Sequence, residues 1–375
     1  MNTTRRHFLA RGGTLAAGAA TLAAGCNPKS ATDNTAAVRA DKTYEWKMLT
    51  SWPPDFPGLG TGANRLAEMI GVMSNGRMRI KVYGGNELVP PLEVFDAVSA
   101  GTAEMGHAAA YYWKGKAPAA QFFGAVPFGM TADEVNGWLY YGGGLALWQE
   151  LYAPFNLTVF PAGNTGVQMG GWFNKEIFSI EDLKGLRMRI PGLGGEALRR
   201  AGGTPVELPG AELFTALQTG TIDATEWVGP YNDLAFGLYR AARYYYYPGW
   251  HEPGPTLELT VNRDAWDDLN DDLKAIVETA ARAVNLDMYA EYTARNQSAL
   301  TQLVEQHQVK LRRFPNDVLA ALKRASEAVL NDLAASDPMS AKVYESYADF
   351  KKAVTAYTGI TEEAYLAARK LPPRA

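Results

Sequence analysis

The chain alternates short apolar stretches with amphipathic ones from residue 44 to about residue 264, a pattern typical of α/β proteins. The stretches predict strands at YEWKMLTSW (44–52), RMRIKVYG (77–84), LTVFPAG and GVQMGGWFN (157–174), LRMRIPG (186–192), ARYYYYPGW (242–250) and TLELTVNRD (256–264). Helices are predicted between them at 62–73 and 181–185. Hydrophobic positions then recur at helical spacing over 264–333 and 340–370, so the C-terminal part is predicted to be helical.

One pattern occurs twice. FDAVSAGTAEMGHA (95–108) and FTALQTGTIDATEW (214–227) each predict an amphipathic helix, a glycine suited to a left-handed helix end, and a short strand. The matched positions are Phe95 and Phe214, Ala97 and Ala216, Gly101 and Gly220, Thr102 and Thr221, and Glu104 and Asp223. Two copies at this distance predict two related halves.

Each copy places notable side chains just beyond its strand. The second copy ends in Glu226 and Trp227, and the first leads into Tyr111, Tyr112 and Trp113. Strand, helix, strand order predicts a parallel sheet, and ligands of such sheets gather outside the carboxyl ends of the strands. If the two halves face each other, both sets of residues line one cleft.

The N-terminus has the pattern of an export signal. TTRRHFLA (3–10) precedes an apolar, charge-free run (14–26), as in twin-arginine signals, so residues 1–26 are predicted to be a signal and the body periplasmic. Cys26, the single cysteine, follows Leu-Ala-Ala-Gly, which indicates a lipoprotein cleavage box; the alternative is an ordinary cleavage site with an incidental cysteine. Residues 27–41 are mostly small and polar and lack periodicity, so they are predicted to form a flexible tether.

Composition narrows the class of protein. The net charge is −4 and no basic stripe occurs, which argues against nucleic-acid binding. A single cysteine excludes a disulfide within the chain and a cysteine-ligated metal site. The length predicts two domains. We expect lobe I at 42–164 with 256–290, lobe II at 165–255 with 291–335, and C-terminal helices at 336–375.

A pair of arginines occupies the strand at 186–192. Arg187 and Arg189 lie on one face of it, and one interpretation is a solvated pair on an edge strand. The other is that Arg189, nearer the carboxyl end, binds a carboxylate through two parallel hydrogen bonds.

Three oxygen-bearing side chains are the candidate partners of that site. Glu226 and Glu252 lie in apolar surroundings at strand and loop ends, and Gln168 lies in the predicted strand GVQMGG. Together with Arg189 and a bound monocarboxylate, the two glutamates leave a net charge of about −2, which a closed cleft tolerates only with a cation. All-oxygen ligands suit Na⁺ or Ca²⁺ rather than a transition metal.

Two other patterns offer different interpretations. PGLGGEA (191–197) resembles a dinucleotide fingerprint and Glu207 ends a following stretch, so an exported NAD(P)-dependent oxidoreductase is an alternative. Pro191 and the lack of a catalytic pattern argue against it. The histidines show no metal-ligand spacing, and His107, which aligns with Glu226 in the repeat, is predicted to be a core or rim residue.

Five blocks carry a family resemblance that covers nearly all of residues 44–370. They are TSWPP, GGNELVPPLEVFDAVSAGTAEM, LKGLRMRIPGLGGEAL, GTPVELPGAELFTALQTGTIDATEW and YYYYPGWHEPGP. In these the chain resembles the solute-binding proteins of tripartite ATP-independent periplasmic (TRAP) transporters, and most closely their α-keto acid-binding subgroup.

The resemblance implies an α/β fold of two lobes with a ligand cleft between them, shared hinge helices and extra C-terminal helices. It implies a receptor, not an enzyme, that closes on a small 2-oxo monocarboxylate and delivers it to the membrane permease. Substrate-binding residues would be Tyr112, Gln168, Arg189 and Trp227. Ligands of a bridging Na⁺ would be Gln168, Glu226, the main-chain carbonyl of Trp227, and Glu252.

The resemblance leaves alternatives open. Its subgroup includes calcium-dependent lactate binders, so a 2-hydroxy acid with Ca²⁺ is an alternative to pyruvate with Na⁺. The helices at 340–370 resemble those that cross between the subunits of homodimers. An anchored sensor or adhesive protein could use the same pocket with a different partner.

Overall fold

The computed structural model describes residues 42–372, so the predicted signal, the tether and Cys26 lie outside the described residues. No helix within this range combines the length and the hydropathy that a membrane span requires. The strands are β1 (Tyr44–Thr50), β2 (Met78–Tyr83), β3 (Met105–Ala109), β4 (Leu157–Asn164), β5 (Gly171–Phe173), β6 (Arg187–Arg189), β7 (Thr204–Val206), β8 (Ala224–Thr225), β9 (Tyr244–Tyr247), β10 (Thr256–Asn262) and β11 (Lys310–Arg313).

Thirteen α-helices surround the strands in this part of the chain. They are α1 (Leu59–Met73), α2 (Val94–Ser99), α3 (Gln121–Gly124), α4 (Ala132–Tyr141), α5 (Gly144–Tyr152), α6 (Gly192–Arg200), α7 (Leu213–Gln218), α8 (Pro230–Phe236), α9 (Arg263–Asp267), α10 (Asp271–Glu305), α11 (Asn316–Ser336), α12 (Pro338–Ile360) and α13 (Glu362–Ala368). Helices alternate with strands along most of this range, which confirms the predicted α/β class.

The strands form two mixed sheets. The first has the order β2-β1-β3-β10-β4, with β1 parallel to β2 and β3, and β10 antiparallel to both its neighbours. The second has the order β11-β9-β5-β8-β6-β7, with β6 parallel to β7 and β8, and β5 antiparallel to both its neighbours. The chain leaves the first sheet after β4, returns at β10, and reaches the second sheet again at β11.

The two copies of the repeat have the same local structure. Each has a short 3₁₀ turn, a six-residue helix (α2 or α7), a glycine with positive φ, and a strand that is parallel to one neighbour and antiparallel to the other. Gly101 has φ +75° and Gly220 has φ +71°, a conformation that residues with a Cβ rarely adopt. The predicted helix, glycine and strand are therefore confirmed in both copies.

The matched acidic residues also have one role. Glu104 accepts a hydrogen bond from the backbone N–H of Lys47 on β1, with an O···N distance of 2.7 Å. Asp223 accepts one from the backbone N–H of Arg187 on β6, at 3.0 Å. Each acid therefore holds its own turn against the strand that is the parallel neighbour of the strand that follows it, which explains why the repeat contains an acid at this position.

Helix α10 packs against the first sheet and against helix α8. Its 35 residues span roughly 52 Å at 1.5 Å per residue. The hydroxyl of Tyr292 donates to Asn232 on α8 at 2.7 Å, and Met288 packs against Gly163 on β4, where a Cβ would lie 2.6 Å from its sulfur. This shared helix is one of those predicted over 264–333.

Two sequence predictions about strands were wrong. The predicted strand GVQMGGWFN begins only at Gly171, because residues 165–170 form a loop between β4 and β5, so Gln168 lies on a loop and not on a strand. The helical prediction over 264–333 missed β11, which pairs with β9 at the end of the second sheet. Both errors arise because periodicity does not report which backbone groups find a partner.

The arginine pair is also not on an edge strand. β6 lies between β7 and β8, so the solvated-edge interpretation of Arg187 and Arg189 was wrong. Arg187 is exposed and Arg189 is 1% exposed. The difference arises because Arg189 is at the carboxyl end of the strand, where the chain meets other elements.

Candidate functional site

Two segments that connect the sheets run side by side and form one wall of the site. They are 165–170, between β4 and β5, and 248–255, between β9 and β10. The backbone N–H of Gln168 donates to the carbonyl of Glu252 at 3.1 Å, and that of Gly249 donates to the carbonyl of Gln168 at 3.0 Å. A Cβ on Gly249 would lie 2.2 Å from that carbonyl oxygen, so the close approach requires glycine.

Arg189 lies at the centre of the site. Its Nε donates to the carbonyl of Leu208 at 3.1 Å, its Nη1 pairs with Oε1 of Glu226, and its Nη2 donates to the hydroxyl of Tyr112 at 3.4 Å. Burial by itself lowers the pKa of the guanidinium, but the negative charge of Glu226 raises that pKa above its ordinary value. Arg189 is therefore a permanent buried cation.

The sheet itself brings Glu226 to Arg189. Glu226 directly follows β8, the parallel neighbour of β6, and its backbone N–H donates to the carbonyl of Arg189 at 3.2 Å. Both side chains are 1% exposed. Arg187, two residues earlier on β6, instead forms an exposed ion pair with Asp223.

Buried polar atoms without a partner concentrate in this region. In the described part of the chain seven buried side-chain nitrogen or oxygen atoms have no hydrogen-bond partner, and four of them are here. These four are Oε1 of Gln168, Nε1 of Trp227, Nδ1 of His251 and Oε2 of Glu252. Because buried polar groups are nearly always paired in folded proteins, such a concentration indicates a site for a polar ligand.

The acidic groups fit a hard cation. One ligand atom from each of Glu226, His251 and Glu252 lies within 4.8 Å of the others. Burial, and then the charge of Glu226, raises the pKa of Glu252 well above its ordinary value, although the positive charge of Arg189 opposes the shift. Carboxylate and amide oxygens that lack donors suit Na⁺ or Ca²⁺.

A narrow cavity with aromatic walls adjoins these groups. The rings of Trp52, which follows β1, and Trp227, which follows β8, have centroids 6.4 Å apart, so the ends of both sheets meet here. Burial raises the pKa of Tyr112 to about 12, so this hydroxyl keeps its proton. The cavity is lined by Trp52, Leu59, Tyr111, Tyr112, Thr165, Gln168, Arg189, Trp227, Val228, Pro255 and Leu257.

The structure brings the predicted site residues into one buried region. Tyr112, Gln168, Arg189 and Trp227 line the cavity, and Glu226 and Glu252 lie directly behind it. The sequence analysis did not select Trp52 or His251, and it placed Tyr111 at the cleft without giving it a binding role. Trp52 could have been found, because it lies between the end of a strand and Pro53, much as Arg189 ends a strand two residues before Pro191. His251 is signalled only by its neighbour Glu252.

His107 is a core residue, as predicted. Its Nδ1 accepts from Nε1 of Trp52 at 2.8 Å and its Nε2 faces the carbonyl of Ala162 at 3.1 Å, which assigns the hydrogen to Nε2. Burial lowers its pKa to about 4. His107 therefore holds an aromatic wall of the cavity in place.

The glycines of the fingerprint-like motif have a packing role. Gly192 has φ +58°, and a Cβ on it would lie 3.0 Å from the Cβ of Tyr111. A Cβ on Gly194 would lie 2.9 Å from the Cβ of His251. The start of α6 therefore packs directly against two residues of the site, which explains the glycine spacing.

The chain is similar to one family over most of its length. Residues 50–337 match the family described as bacterial extracellular solute-binding protein, family 7 (DctP). A monocarboxylate 2-oxoacid-binding periplasmic protein of Nostoc is 46% identical over 333 residues, which are 88% of this chain and 91% of that protein.

Two crystal structures of TRAP periplasmic solute-binding proteins are similar at comparable identity. The protein from Pseudoalteromonas atlantica, with bound sodium and pyruvate, is 44% identical with a TM-score of 0.85, over 88% of this chain and 100% of that one. The protein from Colwellia psychrerythraea, with bound calcium and pyruvate, is 45% identical with a TM-score of 0.85, over 87% of this chain and 100% of that one.

Proposed function

The chain belongs to family 7 of the bacterial extracellular solute-binding proteins, and on that premise we propose that it is the receptor of a TRAP transporter for a small 2-oxo monocarboxylate such as pyruvate. It is a periplasmic receptor and not an enzyme, because binding a solute for transport is what the family does. The NAD(P)-dependent oxidoreductase alternative was therefore wrong.

The observation that carries the ligand class is the group of unpartnered polar atoms around Arg189. In this proposal Arg189 and Tyr112 bind the ligand's carboxylate. Gln168, Glu226, Glu252 and the main-chain carbonyl of Trp227 hold the cation, which supplies positive charge to the carboxylate and keto oxygens. The indole N–H of Trp227 is an additional donor for a ligand oxygen, because it lines the cavity without a partner.

Charge balance supports a cation in the closed site. Among the described residues that line the cavity, Arg189 is the only lysine or arginine, and it already pairs with Glu226. A bound carboxylate together with ionised Glu252 then leaves about two uncompensated negative charges in a buried volume. One Na⁺ removes one of them and one Ca²⁺ removes both.

Closure of two lobes on the ligand is the proposed mechanism. Trp52 and Tyr112 follow strands of the first sheet, whereas Arg189 ends a strand of the second sheet and Trp227 follows another. A ligand that contacts both groups stabilises the closed arrangement over an open one. We propose the lobe boundaries given above, with the connecting segments and α10 as the hinge.

A 2-hydroxy acid bound with Ca²⁺ remains the alternative ligand. The two crystal structures contain different cations with the same acid, and a hydroxyl and a keto oxygen both coordinate hard cations. The protein's own cation is therefore part of what the experiment must identify.

The test is thermal unfolding of the mature, metal-stripped protein with pyruvate, longer 2-oxo acids or lactate, each with and without Na⁺ or Ca²⁺. Ligand at a hundredfold over its Kd adds about 2.7 kcal/mol to the free energy of unfolding. We expect a rise in Tm that requires both a 2-oxo acid and a cation. No rise with any pair would contradict the proposal, and a rise with lactate and Ca²⁺ alone would favour the alternative.

We propose that the receptor is a homodimer that delivers its ligand to the permease. The end of α12 and helix α13 expose apolar side chains, among them Tyr357, Ile360 and Tyr365, and such exposed patches are typical of interfaces. Light scattering on the mature protein, compared with a variant truncated before residue 361, tests this. A monomeric full-length protein would contradict it.

We also propose export by the twin-arginine route and lipid attachment at Cys26. The paired arginines at positions 5 and 6 and the small residues before Cys26 support it. Mass spectrometry of the mature N-terminus decides between a lipid-modified Cys26 and an unmodified chain, and Arg5→Lys with Arg6→Lys should block export.

A further inference from the structure

Glu226 is held at both of its carboxylate oxygens. Oε1 pairs with Nη1 of Arg189, and Oε2 lies 3.3 Å from Nε2 of His251. All three side chains are 1% exposed. The carboxylate proposed to bind the cation is thus oriented by a contact that the family resemblance did not include.

The contact assigns the hydrogen on His251. A carboxylate oxygen only accepts, so Nε2 must carry the hydrogen and donate it to Glu226. The imidazole is packed in place: Trp250 meets it at 5.5 Å between centroids and 67° between planes, and Gly194 of α6 lets the chain approach its Cβ. The ring therefore presents Nε2 to Glu226 in a fixed direction.

Arg189 by itself would draw Glu226 away from a cation. A guanidinium and a carboxylate prefer two parallel hydrogen bonds, which occupy both oxygens. Here Nη1 reaches Glu226, while Nη2 donates to Tyr112 and Nε to Leu208. The second oxygen of Glu226 stays with His251, on the side where Glu252 lies.

We propose that His251 is a positioning residue for cation binding, which donates to Glu226 and prevents that carboxylate from forming a two-bond pair with Arg189. The inference rests on the proposed function, since it concerns the cation of the same site. A role as a direct ligand is disfavoured, because Na⁺ and Ca²⁺ take oxygen ligands. Residues that orient a metal ligand typically contribute about 10- to 100-fold to metal affinity.

The test separates cation affinity from pyruvate affinity by calorimetric titration of the mature protein. His251→Phe keeps a flat ring without a donor, His251→Gln places an N–H near the position of Nε2, and His251→Asn places one near that of Nδ1. We expect the Phe and Asn variants to raise the Kd for Na⁺ and Ca²⁺ by about 10- to 100-fold. The Gln variant should have a Kd close to that of the wild type. The pyruvate Kd at saturating cation should not change.

The control is His307→Phe, because His307 stacks on Tyr239 at a centroid distance of 3.9 Å, away from the site. It should change neither Kd. Unchanged cation affinity in His251→Phe and His251→Asn, or a Gln variant as weak as Phe, would overturn the inference. If His251→Phe does not fold, judged by circular dichroism, the Gln and Asn variants decide.

The outcomes also separate this inference from the proposed function. A wild-type protein without cation-dependent pyruvate binding would overturn both. A wild-type protein that binds normally, with His251 variants that do the same, would overturn the inference alone.

Discussion

The two copies of the repeat share a backbone and differ in the residue that ends them. In the first, the aligned residue is His107 in the middle of β3, whose carbonyl accepts from the backbone N–H of Ser51 at 3.2 Å. In the second, β8 is followed by Glu226, whose N–H donates to the carbonyl of Arg189. His107 holds the indole of Trp52, and Glu226 holds a guanidinium.

The difference shows how one scaffold supplies two kinds of wall. Burial lowers the pKa of His107 to about 4, so the first sheet contributes an uncharged, hydrogen-bonded aromatic surface. The second sheet contributes a buried ion pair. A ligand between the two sheets contacts an apolar aromatic surface on one side and charged groups on the other. A small carboxylate with a short apolar tail requires both kinds of contact.

Replacing the buried arginine should have the largest effect. Arg189→Met leaves the buried Glu226 without its cationic partner, which costs about 3–5 kcal/mol of the free energy of unfolding, and it should abolish pyruvate binding. The matched control is Arg187→Met on the same strand, where an exposed pair contributes at most about 1 kcal/mol. Urea unfolding measures both losses. Similar losses of unfolding free energy in the two variants would contradict the distinction between a buried Arg189 and an exposed Arg187 on β6.

A buried carboxylate of the first sheet sharpens the comparison. Glu258 on β10 is 0% exposed and accepts from Nε1 of Trp113 and from the hydroxyl of Tyr152, which are neutral donors. Burial raises its pKa to about 7, although both hydrogen bonds oppose the shift. Unlike Glu226, it has no cationic partner among these contacts.

The sign of the pH effect follows from that shift. Because the folded state holds the Glu258 proton more tightly than the unfolded state, the group costs nothing near pH 4 and its full penalty above pH 7. Glu258→Gln should therefore gain stability relative to wild type as pH rises from 4.5 to 8, by about 3 kcal/mol at 1.36 kcal/mol per pKa unit. Urea unfolding at several pH values measures this, and parallel pH profiles would contradict it.

Removing the first copy's histidine should have a smaller effect. His107→Phe leaves the indole N–H of Trp52 buried without an acceptor, which costs about 1–3 kcal/mol. The cation-dependent rise in Tm with pyruvate should remain, whereas Glu226→Gln should remove it. Loss of the cation-dependent rise in Tm in His107→Phe would contradict the assignment of cation binding to the second copy alone.

The smallest effect is expected where the two sheets meet at the surface. Lys114, which follows Trp113, forms an ion pair with Glu207, which follows β7, at 3.0 Å, and both side chains are partly exposed. Lys114→Ala should weaken pyruvate binding by at most about 1 kcal/mol, and less at high salt. A larger or salt-independent loss, measured by titration calorimetry, would show that this contact does more than help closure.

Some of the site was predictable from local chemistry. Gly101 and Gly220 signal helix ends, because only glycine adopts positive φ without strain, and the strands on either side follow from their periodicity. Glu226 was a candidate because parallel strands bring their carboxyl ends to one edge of a sheet. For Arg189 the residues alone left a solvated pair and a carboxylate-binding role open, and the family resemblance favoured the second. Gln168 was identified as an oxygen ligand but placed on a strand.

The sequence by itself determined the helix, glycine and strand of the two copies of the repeat, the α/β class and the residue types of the candidate site, because these depend on spacing along the chain. Only the tertiary structure decided that Arg189 is buried while Arg187 is exposed, that Gln168 lies against Glu252, and that His251 reaches Glu226. Those facts depend on which distant segments pack together, and Gly249 and Gly194 permit that packing by lacking a side chain.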